Sequence, residues 1–225
     1  MSIVGALRAA GVEAGDEVVV PAFGNVEVAG AVRQLAARPV FADIDPSTYC
    51  LDPVAVESVL GSSTAAIVAV HRFGATKGVE RLLVAARGHG LPVIEHRESR
   101  LPADEWTRRR RHASYLDARL RGVRPPAKDD NHVYAQYVIR VPGNGRPDRD
   151  AFARAIRLRG VDCVVPVRTP VHRLPEFRCP VALPETERAA EETLALSVHP
   201  SLTRRDMRRM VRACNALGSL LGTAV

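Results

Sequence analysis

At 225 residues with 46% hydrophobic content, the chain is long enough for one large α/β domain or two modest ones around a real core. No run of about 18 or more apolar residues is present to span a bilayer, and the start Met1-Ser2-Ile3-Val4-Gly5 has neither the basic region nor the cleavage site of an export signal, so a cytoplasmic protein with no membrane contact is expected. The net charge of +7 rests on 30 arginines and two lysines, Lys77 and Lys128; spread along a chain with only 4% aromatic residues, it argues against nucleic acid as a partner and leaves an anionic small molecule open.

In chain order, Glu17 to Pro21 reads as a short strand, Val26 to Ala37 as a helix and Pro39 to Ile44 as a second strand. Asp52 before Pro53 is an N-cap with proline at the first helical position, opening a helix to Leu60. Ala65 to Val70 is a buried strand, Val79 to Gly88 a helix, and Leu91 to Glu95 another strand. Apolar strands separated by helices predict a parallel sheet covered on both faces. Beyond Arg100 the pattern becomes α+β: a charged helix from Asp104 to Arg121, a strand from His132 to Val141, a helix from Asp148 to Arg159, a strand from Val161 to Val165, a helix from Glu185 to Leu194, and a short strand from Leu196 to Val198. Thr203 with Asp206 three residues on is a capping box for a last helix to about Leu221. Two domains are expected, 1–100 and 101–225. The four cysteines, Cys50, Cys163, Cys179 and Cys214, lack CxxC spacing, so neither a disulfide framework nor a structural zinc site is expected.

Four phrases, Gly15-Asp16-Glu17-Val18-Val19-Val20-Pro21, Pro39-Val40-Phe41-Ala42-Asp43-Ile44-Asp45-Pro46, Val70-His71-Arg72-Phe73-Gly74 and Gly90-Leu91-Pro92-Val93-Ile94-Glu95, stand in an order and spacing that resemble the DegT/DnrJ/EryC1/StrS family of sugar aminotransferases. Later phrases, among them His132-Val133-Tyr134, Val171-His172-Arg173-Leu174-Pro175 and Leu196-Ser197-Val198-His199-Pro200, extend the likeness over nearly all the chain. The resemblance implies a type I aminotransferase-like α/β fold, reduced in size, with a parallel-sheet domain followed by a small α+β domain. It also implies pyridoxal phosphate (PLP) as cofactor and keto-sugars on nucleotides as substrates.

Against that pattern, the positions the family uses for PLP are degenerate. His96 stands where the resemblance places an aspartate against the pyridine nitrogen, Ser99 where it places a glutamine, and Asn25 where it places a stacking aromatic, with Phe23 two residues earlier. An imidazole cannot supply the anion that stabilises a pyridinium. The sequence passes from Arg100 straight to Leu101, omitting the stretch in which the family carries its Schiff-base lysine. Lys77 and Lys128 are expected to be solvated surface residues. The remnant Val4-Gly5-Ala6-Leu7 follows where the family has a phosphate contact.

These departures lead to the expectation of a non-catalytic binding, scaffold or regulatory protein with no cofactor, working as a homo-oligomer or in complex with another protein. The alternative is an enzyme of sugar or secondary-metabolite biosynthesis with repurposed residues, either PLP-independent or an atypical PLP-dependent aminotransferase. Its acid–base candidates are His71, Glu95 and His96, at the carboxyl ends of parallel strands where open α/β sheets bind ligands. Their spacing does not force a metal site. His132, Tyr134, His172 and Arg173 are candidate contacts for a nucleotide-sugar or other anionic ligand, although each also reads as an ordinary structural residue.

Overall fold

The structure, a computed structural model, describes residues 2–98, 101–142 and 149–221. It divides into two compact units, Met1–Glu98 with Thr169–Arg188, and Ser99–Arg168 with Ala189–Val225. The break near residue 100 falls where the composition changes. The return of Thr169–Arg188 to the first unit is not visible in the sequence. It follows from burial: Val171 and Leu183 complete the cluster around Val18, Val20 and Phe41, and the Val171 amide donates to the Ala22 carbonyl at 2.8 Å.

The first unit holds a four-stranded sheet in the order β2-β1-β3-β4, from β1 (Glu17–Pro21), β2 (Arg38–Ala42), β3 (Thr64–His71) and β4 (Val93–Arg97). Every pairing is parallel. One face packs Val18, Val20, Val68 and Val70 against α1 (Ile3–Ala9) and α2 (Val26–Gln34). The other packs Val19, Ile67 and Ala69 against α3 (Pro53–Glu57) and α4 (Lys77–Ala86). Burial on both faces is why these strands read as continuous apolar runs. Asp52 caps α3 as its sequence predicts, accepting from the Val54 amide at 3.3 Å. α2 stops at Gln34, short of the expected Ala37, because Ala36 adopts a φ of 56° and turns the chain. β4 lies two residues later than its apolar run suggests. Its pairing with Ile67–His71 draws Glu95, His96 and Arg97 into the edge of the sheet.

In the second unit, β5 (Tyr137–Arg140), β6 (Cys163–Val164) and β7 (Thr193–Leu196) form an antiparallel sheet in the order β5-β7-β6. Its core joins Tyr137, Ile139, Leu194 and Leu196 to α5 (Ala103–Asp117), α6 (Arg149–Leu158) and α8 (Arg204–Leu221). The expected strand from His132 shrinks to β5, since Tyr134 takes a φ of 48° and breaks the extended run. α7 (Pro184–Glu192) precedes β7. The capping box before α8 is present, with the Asp206 amide donating to Thr203 Oγ1 at 3.2 Å and the Thr203 amide to Asp206 Oδ2 at 3.0 Å. No helix among the described residues is long and apolar enough to cross a membrane.

Candidate functional site

Three strand exits meet at the carboxyl edge of the parallel sheet. β1 leads into Phe23, Gly24 and Asn25, with Asn25 at φ 62° as the N-cap of α2. β3 leads into Arg72 and Phe73, the latter at φ 56°, and β4 leads into Glu98. A part-buried ion pair joins Arg72 Nη1 to Glu98 Oε1. The same carboxylate accepts from Asn25 Nδ2 at 2.7 Å and from the Phe73 amide at 3.3 Å. The Arg72 guanidinium lies over the Phe73 and Phe23 rings, 4.5 and 5.2 Å from their centres. Burial draws its pKa down to about 10, which still leaves it charged at neutral pH. Gly24 is required twice here: its φ is 78°, and a Cβ would sit 2.5 Å from Arg72 Nη2. Two buried polar atoms of this network, Asn25 Oδ1 and Arg72 Nε, have no partner among the described residues.

Of the three acid–base candidates, two come together. His71 is buried and its Nε2 lies 2.8 Å from Glu95 Oε2, while its Nδ1 lies 3.2 Å from the Ala75 carbonyl. A carbonyl only accepts, so the tautomer with its proton on Nδ1 satisfies Ala75, and Nε2 is then the ring atom that faces the carboxyl oxygen. Glu95 is 44% exposed, which gives the pair an outlet. His96 points the other way: it pairs with Val70 while Glu95 pairs with Ala69, and alternation places it on the opposite face. There its Nε2 is 3.8 Å from Glu27 Oε1. Burial lowers its pKa, helped by His71 and opposed by Glu27, so the ring is neutral at pH 7. A single convergent triad is therefore absent.

The other candidates are held structurally. His132 is buried, accepts the Tyr134 amide on Nδ1 at 2.9 Å and stacks on the Tyr134 ring at 4.1 Å. Burial pushes its pKa down to about 4 and that of Tyr134 up to about 12. In the first unit, His172 is buried with Nε2 3.2 Å from Glu187 Oε1, and exposed Arg173 joins the same carboxylate at 2.7 Å. Ser99 lies outside the described residues. Among the described residues no group of three metal-ligating side chains forms. Phe23 is fully buried against Tyr49 and Phe73 and offers no free face. Arg72 and Glu98, the centre of the network, were not singled out from sequence. Glu98 closes the charged run Glu95-His96-Arg97-Glu98 at the end of β4, the one signal that could have found it, and nothing in the pattern shows that Arg72 is buried.

The sequence profile of the DegT/DnrJ/EryC1/StrS aminotransferase family matches residues 2–97 and 101–215. An L-glutamine:scyllo-inosose aminotransferase of Streptomyces griseus is 50% identical over 94 residues, which make up 42% of this chain and 22% of that protein. The chain thus matches about a fifth of that relative's length. A pleiotropic regulatory protein of Geobacillus stearothermophilus is 27% identical over 291 residues, covering 88% of this chain and 77% of its own. Among solved structures, the aminotransferase TlmJ from Streptoalloteichus hindustanus shares the fold at a TM-score of 0.84 and 23% identity, over 99% of this chain and 84% of its own. NtdA of Bacillus subtilis, solved with bound cofactor PMP, does so at 0.85 and 18%, over 96% and 71%.

These findings correct two expectations. A non-catalytic scaffold or regulator is overturned by relatives named as aminotransferases, and the absence of a cofactor is overturned by the match of nearly the whole chain to a family of PLP-dependent aminotransferases. The residues at the sheet edge nevertheless do not fit a cofactor held by a lysine of this chain. Lys77 and Lys128 are both exposed, His96 is neutral, and the Glu98 carboxylate is already engaged by Arg72, Asn25 and the Phe73 amide.

Proposed function

The chain belongs to the DegT/DnrJ/EryC1/StrS aminotransferase family, and on that footing we propose that it is an atypical PLP-dependent aminotransferase. In this reading it passes an amino group from L-glutamine to the ring ketone of a cyclitol or sugar in secondary-metabolite biosynthesis. The observation that carries the reading is the 94-residue stretch 50% identical to the S. griseus enzyme.

Within the proposal, His71 and Glu95 are the acid–base pair. A proton moves to or from the reacting carbon or nitrogen through the half-exposed Glu95 carboxyl, with His71 Nε2, 2.8 Å from Oε2, as its exchange partner. The Arg72–Glu98–Asn25 network keeps the strand exits in place, and Asn25 Oδ1, buried without a partner among the described residues, accepts a hydrogen bond from the bound ligand. Arg173, exposed beside Glu187, is the candidate substrate contact that keeps a reachable positive charge.

The amine that the family draws from its lysine comes, in this reading, from outside the chain. Two findings support an internal omission near Arg100. The family match is in two segments that break between 97 and 101, and the alignment with the Geobacillus protein runs over 291 residues although this chain has 225.

The test is isotope transfer. Purified chain, PLP, a small primary amine, scyllo-inosose and L-glutamine labelled with ¹⁵N at the α-amino group are incubated, and the cyclitol is analysed by mass. Labelled aminocyclitol above the protein-free control is the expected product, reduced about 100-fold in Glu95→Gln, within the range of a lost acid–base group. No labelled product from the intact chain would overturn the proposal.

A further inference from the structure

The two units differ sharply in charge. The second unit carries 21 of the 32 basic residues and 11 of the 25 acidic ones, so the net positive charge of the protein resides there. Much of it gathers around α8, where Arg204, Arg205, Arg208, Arg209 and Arg212 are all exposed and occupy the first half of an 18-residue helix. That is the positive end of the helix dipole, where cations are unfavourable. Arg204, Arg208 and Arg212 also repeat at four-residue spacing, which sets like charges beside one another. Asp206, paired with Arg209 at 2.7 Å, is the acidic residue of this stretch. So many guanidinium groups at the wrong end of a helix would be relieved by a bound anion.

The surroundings are concave. On one flank of α8, Arg159 joins Arg205, Arg208, Arg209 and Arg212 around a cavity of about 550 Å³. On the other flank, Arg111, Tyr115 and Arg119 of α5 and its C-terminal extension face Arg204 and Arg208 across a cavity of about 620 Å³. Arg208 lines both. We propose that these grooves are a binding site, separate from the sheet edge, for a small anion bearing two or more phosphate groups. Guanidinium forks match phosphate oxygens in pairs, and several of them with one intervening carboxylate call for a multiply charged ligand. Both volumes lie in the usual range for small-molecule sites, roughly 300–1,000 Å³. Nucleic acid fits less well: of the two lining rings, Tyr115 packs against the core and is covered by the Arg119 guanidinium at 4.1 Å, and His112 is half-buried with Nδ1 3.4 Å from the Val198 carbonyl, so little ring surface is left for base stacking. α8 is also set into its unit through Met207, Met210, Ala213 and Cys214 rather than projecting as a reading helix would.

Titration calorimetry with sodium diphosphate on the intact chain, at about 50 mM salt where phosphate contacts are strong, tests the proposal. Diphosphate is expected to bind at least about tenfold more tightly than inorganic phosphate, in keeping with its additional charge-assisted contacts. Neutral substitution of the exposed Arg208→Gln with Arg212→Gln should weaken it about tenfold or more, and diphosphate should raise the melting temperature of the unaltered chain but not of the double variant. No binding by the unaltered chain, equal binding by the double variant, or displacement of diphosphate by a tighter-binding short duplex DNA would each overturn it.

Discussion

Arg72 shows how one side chain can organise a strand exit. Its guanidinium is held between two aromatic rings and a carboxylate, and Gly24 is what lets it approach. His132 does comparable work in the second unit, where burial keeps it neutral down to about pH 4. The sign of its pH effect follows. Between that value and the ordinary histidine value of about 6.5, the unfolded chain binds a proton that the folded chain refuses, so stability falls as pH drops through this window. At about 1.4 kcal/mol per unit the full effect is on the order of 3 kcal/mol. Urea unfolding at pH 7 and pH 4.5 should therefore show a larger loss for the unaltered chain than for His132→Asn, whose side chain can still accept from the Tyr134 amide. Equal losses in both would contradict this assignment. At this scale the sequence disclosed residue types better than their roles: His71 and Glu95 were identifiable at strand ends, whereas the part-buried ion pair depends on burial that no local pattern encodes.

Among the elements, α7 depends on a residue far away in sequence. Asp43, just after β2, accepts from the Glu185 amide at 2.9 Å, the Thr186 amide at 2.8 Å and Thr186 Oγ1 at 2.7 Å. It thereby satisfies first-turn donors that would otherwise be orphaned. Asp43→Ala should cost about 1–3 kcal/mol in urea unfolding, the range for a lost cap with buried donors, and Asp43→Asn should recover part of it. A loss below about 0.5 kcal/mol, the level of an ordinary surface change, would show that the cap is incidental. Local signals located the elements well where they are self-contained, as with Asp52-Pro53 before α3 and Thr203 with Asp206 before α8. They failed where tertiary pairing decides: nothing near Asp43 in sequence shows that it caps α7, β4 slid by two residues to match β3, and the run from His132 gave way to a turn at Tyr134.

Across the whole molecule, the parallel sheet with both faces buried was legible because its strands are apolar throughout, and the likeness to sugar aminotransferases was legible in phrases that recur along nearly the whole chain. Function was harder to read, since the departures at Asn25, His96 and the Arg100–Leu101 junction suggested lost chemistry, while relatives up to 50% identical over 94 residues are named as aminotransferases. The proposed resolution is an aminotransferase whose site amine is not one of its own lysines. Its most direct test is the rate of ¹⁵N transfer from L-glutamine to scyllo-inosose as methylamine is added to the chain and PLP. A rate that climbs about tenfold or more and saturates is predicted, because added amine then fills the place of an activated lysine. A full rate without methylamine, unchanged when it is added, would contradict the account and return the amine to Lys77 or Lys128.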